Sequence, residues 1–176
     1  MYKRINDYGI IGNLGSCAIV GLDGSIDWSC LPHLDSPALF FAILDDNKGG
    51  LFQIAPAGEY DSRQEYEKHT AVLETTFTTD SGEVLLRDFM PLSTTSGDGE
   101  GFERAAIYRV IKGLRGEVEM KVLFRPRLDF GRDGTSIEVG PNGVRAGGNK
   151  DFLTLTTEVP FTVAHGEAAA SVVVRE

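Results

Sequence analysis

Gly21-Leu-Asp-Gly-Ser-Ile-Asp-Trp-Ser-Cys-Leu-Pro-His-Leu-Asp-Ser36 contains a hairpin signal, the single tryptophan of the chain, one of its two cysteines, and a loop with histidine and aspartate. Asp23-Gly24 is a strong short hairpin signal, because a type I′ turn needs positive φ at both central residues. A two-residue loop there sets Leu22 against Ser25, Gly21 against Ile26, Ile19 against Trp28 and Cys17 against Cys30. Side chains alternate along a strand, so Cys17, Ile19, Gly21, Ile26, Trp28 and Cys30 then share an apolar face. Ala18, Val20, Leu22, Ser25, Asp27 and Ser29 share the other. A three-residue loop with a bulge would shift the pairing by one.

Outward from this hairpin, turn signals recur every few residues and helical periodicity is nearly absent. Thr70–Thr79 and Val84–Met90 read as strands around the turn Asp80-Ser-Gly-Glu83. Phe102–Leu114 and Glu117–Leu128 read as two more, separated by a turn at Gly113–Gly116. In the second of these, Val118, Met120, Val122 and Phe124 alternate with Glu117, Glu119, Lys121 and Arg125, the pattern of a half-buried antiparallel strand. Thr135–Val139 and Val144–Ala146 flank Pro141-Asn-Gly143, another hairpin signal, and Phe152–Val159 and Ala169–Val174 complete the set. One segment differs. Ser36-Pro-Ala-Leu-Phe-Phe-Ala-Ile-Leu44 offers a serine cap, proline at the first helical position and good helix formers, which predicts a short helix over 36–44. Ser93–Gly101 is polar and glycine-rich and reads as a mobile loop.

Many strands, tight turns and one short helix predict an all-β fold, an antiparallel β-sandwich. A chain of 176 residues fits one domain, and no linker divides it. Ser171–Glu176 still reads as a strand where the chain stops, so residues 1–176 are expected to be part of a longer polypeptide. The net charge of −9 argues against nucleic acid or an anionic membrane as partner, since either calls for a basic patch. No run reaches transmembrane length and the first residues lack a signal-peptide core, so the expected location is cytoplasmic. Two cysteines without a CxxC spacing do not make a metal site. Cys17 and Cys30 would be close enough to form a disulfide, but a reducing cytosol favours two buried thiols.

No catalytic constellation stands out from the residues themselves. Ser16, Ser25 and Ser29 lack a nucleophile-elbow setting. Gly12–Gly15 and Gly131–Gly134 lack the lysine and strand-to-helix context of a phosphate loop and read as turns, so no cofactor is expected. Glycoside hydrolysis needs two spaced carboxylates, which brings in Asp27, Asp35, Asp88 and Glu103. Each also has a structural reading, Asp35 as a turn acceptor and Asp88 as a partner for backbone donors. His33 sits in an irregular segment where side chains face clefts. Trp28 could stack on a sugar, although its neighbours Ile19 and Ile26 favour a packing role.

Three blocks, Asn6-Asp-Tyr-Gly-Ile-Ile-Gly-Asn13, Ala18-Ile-Val-Gly-Leu-Asp-Gly-Ser-Ile-Asp-Trp-Ser-Cys-Leu-Pro32 and Asp35-Ser-Pro-Ala-Leu-Phe40, resemble the N-terminal domain of glycoside hydrolase family 15 proteins, the glucoamylase-like and trehalase-like enzymes. Supporting matches follow in Gly49-Gly50, Ile54-Ala-Pro56, Leu73-Glu-Thr-Thr-Phe77, Asp88-Phe-Met-Pro91, Arg109-Val-Ile-Lys-Gly-Leu114 and Phe124-Arg-Pro-Arg-Leu-Asp-Phe-Gly131. The resemblance implies a β-supersandwich that precedes an (α/α)6-barrel catalytic domain. In such enzymes two glutamates of the barrel hydrolyse an α-glucosidic bond with inversion, which requires room for a water between the carboxylates. Nothing in this chain matches the barrel. The expectation is a noncatalytic accessory domain whose partner is the C-terminal catalytic domain of the same polypeptide, with α-glucan or trehalose as the sugar. Members commonly carry Arg-Phe before the loop aspartate, where this chain has His33-Leu34. Trp28, His33 and Asp35 are the candidates for a domain-interface or substrate-side loop. The rival readings are an α-glucan-binding module, for which one tryptophan and five tyrosines are a thin supply, and a small enzyme built on His33 and nearby acids.

Overall fold

The computed structural model describes residues 2–92, 105–132 and 134–176. After a 3-10 turn at Ile5–Asp7 the strands run in chain order as β1 (Tyr8–Gly12), β2 (Cys17–Gly21), β3 (Ser25–Cys30), β4 (Ala38–Phe40), β5 (Leu51–Pro56), β6 (Asp61–Tyr66) and β7 (Leu73–Thr79). They continue as β8 (Gly82–Phe89), β9 (Tyr108–Arg125), β10 (Ser136–Gly140), β11 (Gly143–Gly147), β12 (Phe152–Thr156), β13 (Thr162–Ala164) and β14 (Glu167–Arg175). All strand pairings among the described residues are antiparallel. No helix among them is long and apolar enough to cross a membrane. The all-β antiparallel sandwich expected from the turn spacing is the fold.

β9 is the spine. Its first half pairs with β8, continuing through β7 to β6, and its second half pairs with β5 on one side and β14 on the other. β5 leads on through β3 and β2 to the edge strand β1. The two layers close on a core that includes Val20, Ile26, Phe77, Leu86, Met120 and Phe124. Burying one such side chain contributes about 1.5–3 kcal/mol, so this shared core holds the layers together. The small sheet β10–β11–β12 adds Val144 and Ala146 to the same core. At the far edges, the Tyr66 hydroxyl of β6 accepts from the Ile10 N–H and donates to the Ile10 carbonyl of β1.

The expected turn at Gly113–Gly116 is not a turn. β9 runs straight through it with a bulge, Val84 facing Gly113 and Glu83 facing Arg115, so Leu114 is the surplus residue. The glycines are there for close approach. A Cβ on Gly113 would lie 2.2 Å from the Arg175 carbonyl oxygen of β14.

The helix predicted over 36–44 is also absent, replaced by β4 and a single turn from Phe41 to Asp45. Ser29 faces Phe40 and Cys30 faces Ala38 across the β3–β4 pair. Leu39 and Phe40 enter the main core, whereas Ala38 and Phe41 join Cys30 in a second cluster. A helix presents one apolar stripe, but these bulky residues are buried in two clusters, so tertiary packing overrides local propensity.

The opening hairpin follows the two-residue register only at its far end, where Ile19 faces Trp28 and Ala18 faces Ser29. Towards the turn Val20 faces Ile26, leaving Asp27 as the surplus residue of a β-bulge. Gly24 takes φ 72° and its N–H donates to the Gly21 carbonyl at 2.9 Å. A Cβ on Gly24 would fall 2.1 Å from the Ile54 carbonyl oxygen. The turn therefore has three loop residues, the shifted alternative. Because of the bulge, Ala18, Val20 and Ile26 face the main core, and Trp28 and Cys30 face the smaller cluster. Cys17 and Cys30 are free thiols. The expected mobile loop Ser93–Gly101 lies outside the described residues.

Candidate functional site

The candidate carboxylates divide by what holds them. Asp88 on β8 and Arg109 on β9 form a bidentate pair at 2.8 and 3.1 Å, with side chains 0% and 3% exposed. Arg109 also donates to the carbonyls of Phe52 and Gly24, both at 2.7 Å, and lies over the Phe52 ring. One guanidinium thus ties β8, β9, β5 and the β2–β3 turn together. Removing one partner of such a pair costs about 3–5 kcal/mol, because the other charge is left buried alone. Asp88 is committed to this clamp.

Asp27 is committed as well. The bulge turns its carboxylate towards the amino-terminal segment, where Oδ2 accepts from Lys3 Nζ at 2.6 Å and from the Tyr8 hydroxyl at 2.8 Å. Lys3 also pairs with Asp23 at 2.8 Å and donates to Ser25 Oγ. Burial, and next the bond and charge of Asp27, push the Tyr8 phenol well above its ordinary range. Asp27 Oδ1 is buried and has no hydrogen-bond partner among the described residues. Glu103 lies outside the described residues. Burial also pushes up both thiols, and the neighbouring Cys17 adds to the shift at Cys30.

Asp35 and His33 are exposed, on a loop that begins at the cis peptide Leu31–Pro32. The His33 N–H donates to Ser36 Oγ and its carbonyl accepts from the Ser36 N–H, each at 3.1 Å. Ser36, expected as a helix cap, closes a turn instead. The loop is stitched to the β1–β2 turn: Ser16 Oγ donates to the Cys30 carbonyl, and the Leu34 N–H donates to the Gly15 carbonyl at 2.9 Å. Asn13 Oδ1 in turn accepts from the Gly15 and Ser16 N–H groups at 3.2 and 2.9 Å. Two loops distant in sequence become one end of the molecule.

Trp28 does not stand with His33 and Asp35. It is half-buried against Cys30, Ala38 and Phe41, and its ring lies 6.3 Å from that of Phe130. Asp129, Phe130 and Gly131 all take left-handed φ values of 50°, 54° and 68°. Arg132 pairs with Asp129 at 2.5 Å and lies over the Phe130 ring. Between the cis-proline loop and β12 lies a cleft of about 770 Å³, lined by residues including Pro32, Pro37, Leu128 and Phe152. No group of three His, Cys, Asp or Glu side chains among the described residues could hold a metal ion.

The residue that sequence reasoning missed is Leu14. It sits at φ 71° in the stitched turn with its side chain 99% exposed. Leu34 and Leu92, 60% and 64% exposed, are further apolar side chains presented to solvent, Leu34 on the same stitched loop and Leu92 beside Leu14. The available signal was a leucine between Asn13 and Gly15, a turn context that normally carries polar residues.

The described residues thus form an antiparallel sandwich with clamped internal acids and an apolar loop end. Among known proteins, the model of the family described as trehalase-like, N-terminal matches residues 2–175, and the chain belongs to that family. A trehalase of Thermoplasma volcanium is 33% identical over 91% of this chain and 26% of its own length. Trehalase 2 of Sulfolobus acidocaldarius is 30% identical over 78% of this chain and 21% of its own, and a trehalase of Mycolicibacterium smegmatis 28% identical over 96% and 28%. The chain thus spans about a quarter of the length of the curated relatives it matches. No solved structure matches it significantly.

Proposed function

We propose that residues 1–176 form a noncatalytic N-terminal domain of a trehalase-type α-glucoside hydrolase, a single domain that packs on and orients a catalytic (α/α)6 barrel of glycoside hydrolase family 15. The supporting observation is the state of its acids. Asp88 is locked to Arg109 and Asp27 to Lys3 and Tyr8, while Asp35 stands exposed on a loop. Hydrolysis with inversion needs an acid and a base facing each other across a substrate and a water, and two carboxylates bonded inside the sandwich are not placed that way. His33 and Asp35 belong in this reading to the surface that meets the barrel or its substrate, while Trp28, expected beside them, packs behind that loop against Cys30, Ala38 and Phe41. The length of the relatives named trehalase, about four times that of this chain, supports a catalytic region elsewhere in the polypeptide.

The test is an assay of the purified chain and of the complete polypeptide on trehalose and maltose. Hydrolysis is expected from the complete polypeptide and none from residues 1–176. Turnover by residues 1–176 that survives repurification and is abolished by Asp35→Asn would overturn the reading.

A further inference from the structure

The most exposed large apolar side chain of the described residues, Leu14, is also in the least comfortable backbone position for its type. A left-handed φ costs an ordinary residue roughly 1–2 kcal/mol, and glycine or asparagine avoids most of that. For an isolated domain, leucine is unfavourable there twice over, by conformation and by exposure.

The surroundings give the residue a use. Leu14 and Leu92 are shared by two adjoining concavities of about 370 and 400 Å³. Pro32 and His33 line the first, and Val72 and Phe89 the second. Among the described residues lining either concavity none is Asp, Glu, Lys or Arg, although the chain is 24% charged. Depletion of charge around apolar anchors is the compositional mark of an interface core. The loops are also held before any partner arrives, by Asn13 Oδ1, by Ser16 on the Cys30 carbonyl and by Leu34 on Gly15. Pre-organisation of this kind lowers the ordering cost of association.

We infer that this end of the sandwich, with Leu14 as its central anchor and Leu34 and Leu92 beside it, is the surface that docks on the catalytic region of the same polypeptide. The inference rests on the proposed function and specifies its geometry. The occupant follows from length: relatives carrying this domain have about three quarters of their chain outside it, and that region is always present at high effective concentration. The outer faces of β13 and β14, where Val163 and Val173 lie, stay in solvent.

Hydroxyl-radical footprinting of residues 1–176 alone and of the complete polypeptide tests the assignment. Labelling of Leu14 should fall about tenfold in the complete polypeptide, as near-full exposure drops to the levels of a packed interface core. Leu34 and Leu92 should follow, while Val163 and Val173 label equally in both. Equal labelling of Leu14 in the two proteins overturns the inference, whatever their activity on trehalose. Protection of Leu14 that grows with the concentration of residues 1–176 alone also overturns it, in favour of a second copy as the occupant. Footprinting reads contact and the sugar assay reads catalysis, so failure of one is distinguishable from failure of the other.

Discussion

The Tyr8 hydroxyl, bonded to Asp27, fastens the start of β1 to the bulge of β3, and this contact has a pH signature. The folded phenol keeps its proton beyond the ordinary value of 10.0, chiefly because it is buried and then because Asp27 accepts from it. Below that value both folded and unfolded chains are protonated and the contribution to stability is fully present. Above it the unfolded chain releases a proton that the folded chain retains, so stability falls as pH rises towards the folded value. Urea unfolding at about pH 9 and about pH 11 should show a larger loss for the wild type than for Tyr8→Phe. Equal losses would mean that Tyr8 titrates as a free phenol. This arrangement was only half visible in the sequence. Asp23-Gly24 announces a hairpin, but the same dipeptide serves two- and three-residue loops. The choice is made at a distance, by the approach of Gly24 to the Ile54 carbonyl, and it is this choice that creates the bulge at Asp27.

Among the elements, β9 carries the most consequence, since it belongs to both layers. Its alternation from Val118 to Phe124 is plain in the sequence, but its continuity is not. Gly113 and Gly116 look like punctuation, but Gly113 is a gap left for the backbone of β14 at residues 167–175, and Gly116, at φ 68°, is one left for the Ser81 carbonyl of the β7–β8 turn. The segment 36–44 is the converse case: its local signals favour a helix, and the two clusters that claim its side chains draw it into a strand. Short-range signals therefore served for hairpins and failed where a distant strand decided. Gly113→Ala tests the packing argument. Its Cβ would have to displace the Arg175 carbonyl, so the substitution should destabilise the chain by roughly 1–3 kcal/mol in urea. Gly58→Ala, with nothing within 4 Å of the new Cβ, should be neutral or slightly stabilising. Equal effects at the two sites would show that β14 yields without cost.

At the scale of the whole molecule, the sandwich has one end made of polar-stitched loops with apolar tips, and that end was the least legible part of the site. His33 and Asp35 could be singled out by type, because titratable residues on a loop invite chemistry. Leu14, Leu34 and Leu92 could not, since a leucine declares itself as interface only when its exposure is known. If they are covered by a catalytic region, the two parts of the polypeptide should share stability. Burial of an apolar surface in the native state but not the unfolded one raises the unfolding transition of both partners. Calorimetry of residues 1–176 alone and of the complete polypeptide should then find the domain melting at a higher temperature in the latter. Leu14→Asp should remove most of that gain while leaving the isolated chain unchanged or slightly more stable, because the side chain it replaces touches little and sits at a strained φ. A loss of equal size in both proteins would mean that Leu14 supports its own domain, and the shared stability would have to come from another face.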